Sequence, residues 1–187
     1  MKNVCVVTGG GSGMGFEAAK LLGKEQKIIL MGRTVSKLEN AIHVLQELGI
    51  EAEAYPGDAS DRESVKKVAA YAASQGNVKT LIHAAGVSPR MTNAEQILEI
   101  NAIGTINVDE EFAAVMGEGS CILNVSSMSA YVLPQNMHPK HLYKLALEDV
   151  SIFQEEMNKL IAAMPEERQT AMAYPISKGF VIWYTAR

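Results

Sequence analysis

Near its amino end the chain runs through Asn3–Thr8 (NVCVVT), rich in β-branched valine, straight into Gly9-Gly10-Gly11-Ser12-Gly13-Met14-Gly15. A strand with no polar face must be buried on both sides, which calls for a parallel sheet covered by helices. The rest of the chain repeats that demand. Strand-like runs at Lys27–Met31, Glu51–Tyr55, Lys79–His83 and Cys121–Val125 alternate with helical patterns. Those patterns cover Phe16–Lys24, Val35–Leu48, a segment running to about Ser74 and one running to about Met116. Ser60-Asp61-Arg62-Glu63 and Thr92-Asn93-Ala94-Glu95 read as capping boxes that open the latter two helices. Strands alternating with helices of this length predict an α/β fold with a doubly wound, Rossmann-like parallel sheet in the order 3-2-1-4-5. With no low-complexity linker or internal repeat, residues 1–187 are expected to form a single domain.

Composition removes several classes of function. The net charge of −4 lacks the basic footprint of a nucleic-acid-binding protein. Gly119–Pro139, the longest stretch without charge, is broken by Asn124, four serines, Pro134, Gln135 and Asn136, so no membrane span is expected. Met1-Lys2 leads directly into the first strand, unlike a signal peptide. Cys5 and Cys121 each lie in an apolar run and are expected to be buried thiols of a reduced cytoplasm.

The alternation breaks between Met128 and Ala173. Leu142–Val150 and Ile152–Met164 read as successive helices, the second with Phe153, Met157, Leu160/Ile161 and Met164 on one stripe. Five of the ten methionines fall in this region, which suits either an adaptable substrate lid or a helix pair packed on the core or on another subunit.

Two motifs carry chemistry. Glycines between a first strand and a first helix let the backbone approach a phosphate group, and the N–H groups of the helix start attract anions. A P-loop is excluded, because Phe16 stands where that motif needs lysine. Tyr174 and Lys178 lie four residues apart and share one helix face. Pro175 predicts that this helix begins close to Tyr174. An ammonium beside a phenol favours the phenolate and makes a usable proton donor and acceptor.

Taken in order, Thr8–Gly15, Asp58, Ala84-Ala85-Gly86, Asn101, Asn124-Val125-Ser126-Ser127, Tyr174 and Lys178 resemble the short-chain dehydrogenase/reductase family. The resemblance implies that Tyr174 is the general acid and base and that Ser127 bonds the substrate oxygen. It implies that Lys178 binds the nicotinamide ribose and tunes Tyr174, and that Asn101 holds a water of the proton relay. It also implies cofactor contacts at Gly9, Gly11, Ser12, Gly13, Met14, Gly15, Arg33, Thr34, Asp58, Ala59, Ala84, Ala85 and Gly86. NAD enzymes place a carboxylate after the second strand; Gly32-Arg33-Thr34 has none, and Arg33 suits a 2′-phosphate. NADP(H) is therefore favoured, with NAD(H) as the lesser option.

The resemblance has three departures. His83-Ala84-Ala85-Gly86 replaces the usual Asn-Asn-Ala-Gly, and His83 is expected to be a buried, hydrogen-bonded imidazole. Ser127 and Tyr174 stand 47 positions apart, which implies a helical insertion at about 134–170, similar to one in some bacterial hydroxysteroid dehydrogenases. The sequence stops nine residues after Lys178, so a C-terminal truncation is expected, with an open sheet edge at the fifth strand that needs a partner. His138 and His141 are expected to face solvent, and no metal site is expected.

The expected activity is interconversion of a small-molecule carbonyl and a secondary alcohol, by a homo-oligomer (dimer or tetramer). A 3-oxoacyl-thioester reductase and a non-catalytic NADP(H) sensor are the alternatives.

Overall fold

The computed structural model describes residues 2–187. Five parallel strands, β1 (Asn3–Thr8), β2 (Lys27–Gly32), β3 (Ala52–Pro56), β4 (Asn77–His83) and β5 (Cys121–Asn124), form one sheet in the order β3-β2-β1-β4-β5. The expected topology is therefore present. Register aligns the carboxyl ends of the strands: Thr8 lies opposite both Met31 and His83, Gly32 opposite Pro56, and His83 opposite Asn124.

The chain divides into two compact units. The first comprises residues up to Ala85 together with Asn107–Val125; the second comprises Gly86–Ile106 and Ser126–Arg187. In the first, the two-residue period of the strands sorts side chains between two apolar layers. Cys5, Val7, Ile28 and Leu30 pack with Leu38, Ala41 and Leu45 of helix α2 (Val35–Glu47) and with Ala19 of helix α1 (Gly13–Leu22). Val4, Val6, Ile29 and Met31 pack with Val65, Val68, Ala69 and Ala72 of helix α3 (Arg62–Gln75) and with Val108 and Phe112. Both helix starts after β3 and β4 lie one residue beyond the expected caps. Asp61, not Ser60, caps α3 and accepts from the Glu63 and Ser64 amides; Asn93, not Thr92, accepts from the Gln96 amide.

The second unit is helical. The expected continuous helix from Asn93 to Met116 is instead α4 (Ala94–Leu98), one π-helical turn (Glu99–Ile103) and α5 (Gly104–Ala113), whose later residues belong to the first unit. Then follow α6 (Ser129–Val132), α7 (Lys140–Tyr143) with a 3₁₀ turn (Lys144–Leu147), α8 (Val150–Ala162) and α9 (Glu166–Thr185). The stripe on α8 buries Phe153, Met157 and Ile161 in one cluster with Ile97, Tyr143, Ile176 and Phe180, so these residues pack on the unit's own core. Pro175 does not start its helix. It lies inside the 20-residue α9, nine residues after Glu166. No helix among the described residues is long and apolar enough to cross a membrane.

Candidate active site

In the first unit the Gly-rich turn is shaped by the backbone around it. Gly9 has φ +67°, and a Cβ there would lie 2.8 Å from the Ala85 nitrogen and 2.9 Å from the Ala84 carbonyl carbon, so only glycine fits. Thr8 fixes that approach: its hydroxyl accepts the Ala85 N–H at 3.2 Å and bonds the buried His83 Nδ1 at 2.7 Å. Gly15 is buried against the Gly9 carbonyl, with 2.9 Å to a would-be Cβ, which holds α1 close to the turn. Ser12 stands at the N-cap without a side-chain bond to the helix start, and no acidic residue occupies the first turn. Ser12, Gly13 and Met14 are exposed, so the start of α1 presents its N–H groups and partial positive charge to an incoming anion.

Arg33 and Thr34 follow β2 and are exposed. The Arg33 guanidinium stands 3.9 Å from the Asp58 carboxylate, an exposed pairing that leaves its remaining donors open. The other Asp58 oxygen closes a turn by accepting the Ser60 N–H at 3.0 Å and the Ser60 hydroxyl at 2.8 Å. Ala59 is buried, and the Asn107 amide clamps this loop by donating to the Ala59 and Ser60 carbonyls, both at 3.1 Å. The sequence gives no signal of this clamp, because a mid-helix asparagine does not reveal its tertiary partner.

In the second unit Asn101 sits, buried, in the π-helical turn. Its Oδ1 accepts the Val87 N–H at 2.9 Å, while Nδ2 donates to the Val87 carbonyl at 3.0 Å and to Ser177 Oγ at 3.2 Å. Lys178 is buried on α9, and a Cβ placed on Gly86 would lie 3.2 Å from its Nζ and 3.0 Å from Asn101 Oδ1. Burial draws the Lys178 ammonium down to about 8, since a charge is costly to desolvate. Tyr174, one turn earlier on α9, is half-buried against the unit's core. Ser127 is half-buried, and its Oγ accepts the Ser129 N–H at 3.2 Å, leaving its own proton to donate. Ser126 takes a structural contact, donating to the Lys178 carbonyl at 2.7 Å.

Three expectations about single residues are corrected. Cys121 is exposed, because it lies on the edge strand β5, whereas Cys5 is buried and its thiol is pushed up to about 12. His138 is buried, not solvent-facing: its ring lies between the Tyr143 hydroxyl at 3.1 Å and the Ala130 carbonyl at 2.9 Å. The helix bearing Tyr174 and Lys178 begins eight residues ahead of the tyrosine. Among the described residues no cluster of three or more His, Cys, Asp or Glu side chains is placed to hold a metal ion.

Known proteins match both sequence and fold. The family model for short chain dehydrogenases matches residues 3–139. A peroxisomal 2,4-dienoyl-CoA reductase of Arabidopsis thaliana is 34% identical over 116 residues, covering 56% of this chain and 38% of the relative. The short-chain dehydrogenase/reductase bsc3 of Alternaria brassicicola is 28% identical over 153 residues, covering 80% and 56%. Among solved structures, the actinorhodin polyketide ketoreductase with NADPH superposes with a TM-score of 0.73 at 20% identity, covering 98% of this chain and 62% of that one. A metagenomic short-chain oxidoreductase in complex with NADP gives 0.62 at 26% identity, covering 68% and 63%. The chain thus spans between about two fifths and three fifths of the lengths of these relatives. With the parallel sheet, the glycine turn and the family match in agreement, the chain belongs to the short-chain dehydrogenase/reductase family.

Proposed function

We propose that this chain carries the nucleotide-holding and proton-handling residues of an NADP(H)-dependent oxidoreductase that interconverts a carbonyl and a secondary alcohol. One observation carries the reading: Asn101 and Lys178 meet at Gly86, with Tyr174 one turn from Lys178 on the same helix.

The nucleotide-holding residues fit that class of ligand. Five of the seven residues from Gly9 to Gly15 are glycines, which lets the backbone approach a diphosphate closely. Gly11, Ser12, Gly13 and Met14 form the rim of this turn, and Ala84, Ala85 and Gly86 follow β4. Arg33 and Thr34 after β2 suit a 2′-phosphate, with Asp58 and Ala59 beside an adenine. A structural relative at 26% identity was solved with NADP, which supports this choice.

When bound, the nicotinamide supplies the hydride chemistry. In the reductive direction Tyr174 gives its phenolic proton to the forming alkoxide. The Ser127 hydroxyl donates to the same oxygen and stabilises the developing charge. The Lys178 ammonium, charged at neutral pH, stabilises the negative charge that the departing proton leaves on the Tyr174 oxygen and binds the ribose hydroxyls. Asn101, locked by Val87 and Ser177, orders the relay that returns a proton to the site. In oxidation each proton moves the other way.

Tyr174→Phe tests the assignment: ketone reduction falls 100-fold or more while NADPH affinity is kept, and a parental rate would overturn it. Titration of NADPH and NADH against Arg33→Ala tests the cofactor, with about tenfold loss expected for NADPH alone.

The dienoyl-CoA reductase relative is named for a coenzyme A thioester, which supports thioesters as a second substrate class; a panel containing 3-oxoacyl thioesters and alicyclic ketones separates that class from the first. We expect the assembled enzyme to be a dimer or tetramer, which light scattering measures.

A further inference from the structure

We propose that Tyr143, on the helical segment between Ser127 and Tyr174, is a positioning residue for the Tyr174–Lys178 pair, acting through the Ile176 carbonyl. This inference rests on the proton-handling role given above to that pair.

Helix α9 is weakened where it matters most. Pro175 has no N–H, so the Ala171 carbonyl lacks its helical donor one residue after Tyr174. The turn that follows is held from outside the backbone ladder. Three hydroxyls reach three alternate carbonyls: Ser177 to Tyr174 at 2.8 Å, Tyr143 to Ile176 at 2.7 Å, and Ser126 to Lys178 at 2.7 Å. Ser177 is local, and Ser126 adjoins the end of β5. Tyr143 alone comes from the segment that separates Ser127 and Tyr174 by 47 positions.

The geometry makes Tyr143 a stiff tether. Its ring is fully buried, edge-on to Phe180 at 5.3 Å and 5.8 Å from Trp183, which locks its rotamer against α9 itself. His138 stands at the other side of its hydroxyl, 3.1 Å away, with the opposite ring nitrogen at the Ala130 carbonyl. The phenol has one proton, and the shorter contact assigns it to Ile176. Burial pushes the phenol's pKa up, so it remains a donor across the working pH range. The Ile176 carbonyl lies midway between the two functional residues in sequence, and a shift there moves both. Displacements of this kind cost large rate factors without any contact to the reacting atoms.

Tyr143→Phe removes the hydroxyl and keeps the ring, so the packing with Phe180 and Trp183 survives. In the full-length protein, kcat for carbonyl reduction falls about tenfold while KM for NADPH stays within twofold. An unchanged kcat overturns the proposal. A second readout needs no turnover: with ¹³Cζ-labelled tyrosine, and the Tyr174 signal assigned through Tyr174→Phe, the Tyr143→Phe change shifts the position or titration midpoint of that signal. A lowered thermal midpoint with the Tyr174 signal and kcat both parental shows a purely structural tyrosine and rejects the idea. If the parent reduces no carbonyl, the functional reading fails, and the labelled signal still decides whether Tyr143 positions Tyr174.

Discussion

Asn101 and Lys178 meet across the missing side chain of Gly86, whose would-be Cβ lies 3.0 Å from the amide oxygen and 3.2 Å from the ammonium nitrogen. A methyl there needs both neighbours to move by a few tenths of an ångström. Gly86→Ala is expected to lower kcat about tenfold, because small misplacements of positioned groups are costly. The displacement needed is small, so the thermal midpoint should fall by only a few degrees. A parental kcat would show that the two groups are not held in place by their packing.

Lys178 is kept at a cost to stability. Its ammonium titrates at about 8 in the fold and near 10.5 when unfolded. Between these values the unfolded chain holds more protons, so stability rises with pH across the window; below pH 8 the full desolvation cost is present. Lys178→Met removes the charge and is expected to raise stability at pH 7 by roughly 1–3 kcal/mol, with the gain shrinking toward pH 10.5. Denaturant unfolding at pH 7 and pH 10 measures this; a less stable variant at pH 7 contradicts it.

Asp109 gives a second pH signature, in the first unit. Desolvation raises its carboxyl from 3.8 to about 6, although Asn124 donates to Oδ2 at 2.7 Å; Oδ1 is buried without a hydrogen bond. The folded chain therefore holds more protons between those values, and stability falls as pH rises through them. Asp109→Asn keeps the shape and is expected to gain roughly 1–2 kcal/mol above pH 6. The gain disappears at about pH 4, and a pH-independent difference would rule out the carboxyl as its source.

Gly179 leaves room for His138. A Cβ at Gly179 would lie 2.2 Å from the His138 Cε1 and 2.3 Å from Nδ1, inside a ring held by two hydrogen bonds. Gly179→Ala must expel the ring and is expected to cost about 1–3 kcal/mol, as overpacking does. A urea midpoint equal to the parent's would mean that the histidine moves aside freely.

Much of the architecture was legible because its cause is local. The unbroken apolar β1, and strands separated by helix-length patterns, require a covered parallel sheet, and the sheet order followed. For α9 and for the helix that follows β4, the reading miscarried for one physical reason: distant partners overrode local signals. Pro175 marks a helix start on its own, yet α9 runs through it, and hydroxyls from Tyr143 and Ser126 bond carbonyls in its next turn. The pattern around Asn101 is continuous in sequence, but the π-helical turn accompanies an amide bonded to Val87 and Ser177. Asp61 displaced Ser60 as a cap because a carboxylate reaches two amides at once. The candidate site was legible as a set of residue types, whereas the ties from Thr8, Asn107 and Tyr143 exist only in three dimensions.

The position of β1 also bears on how the chain folds. It is the first strand in sequence and the middle one in space, and its Thr8 finds a neighbour on one side at Met31 and on the other at His83. On the ribosome, an apolar strand with no solvent-tolerant face must wait for some 75 further residues before its second edge is covered. Topologies that depend on such distant pairings fold slowly. Through that interval the nascent chain exposes its stickiest segment, and chaperone demand should be greatest before β4 is translated.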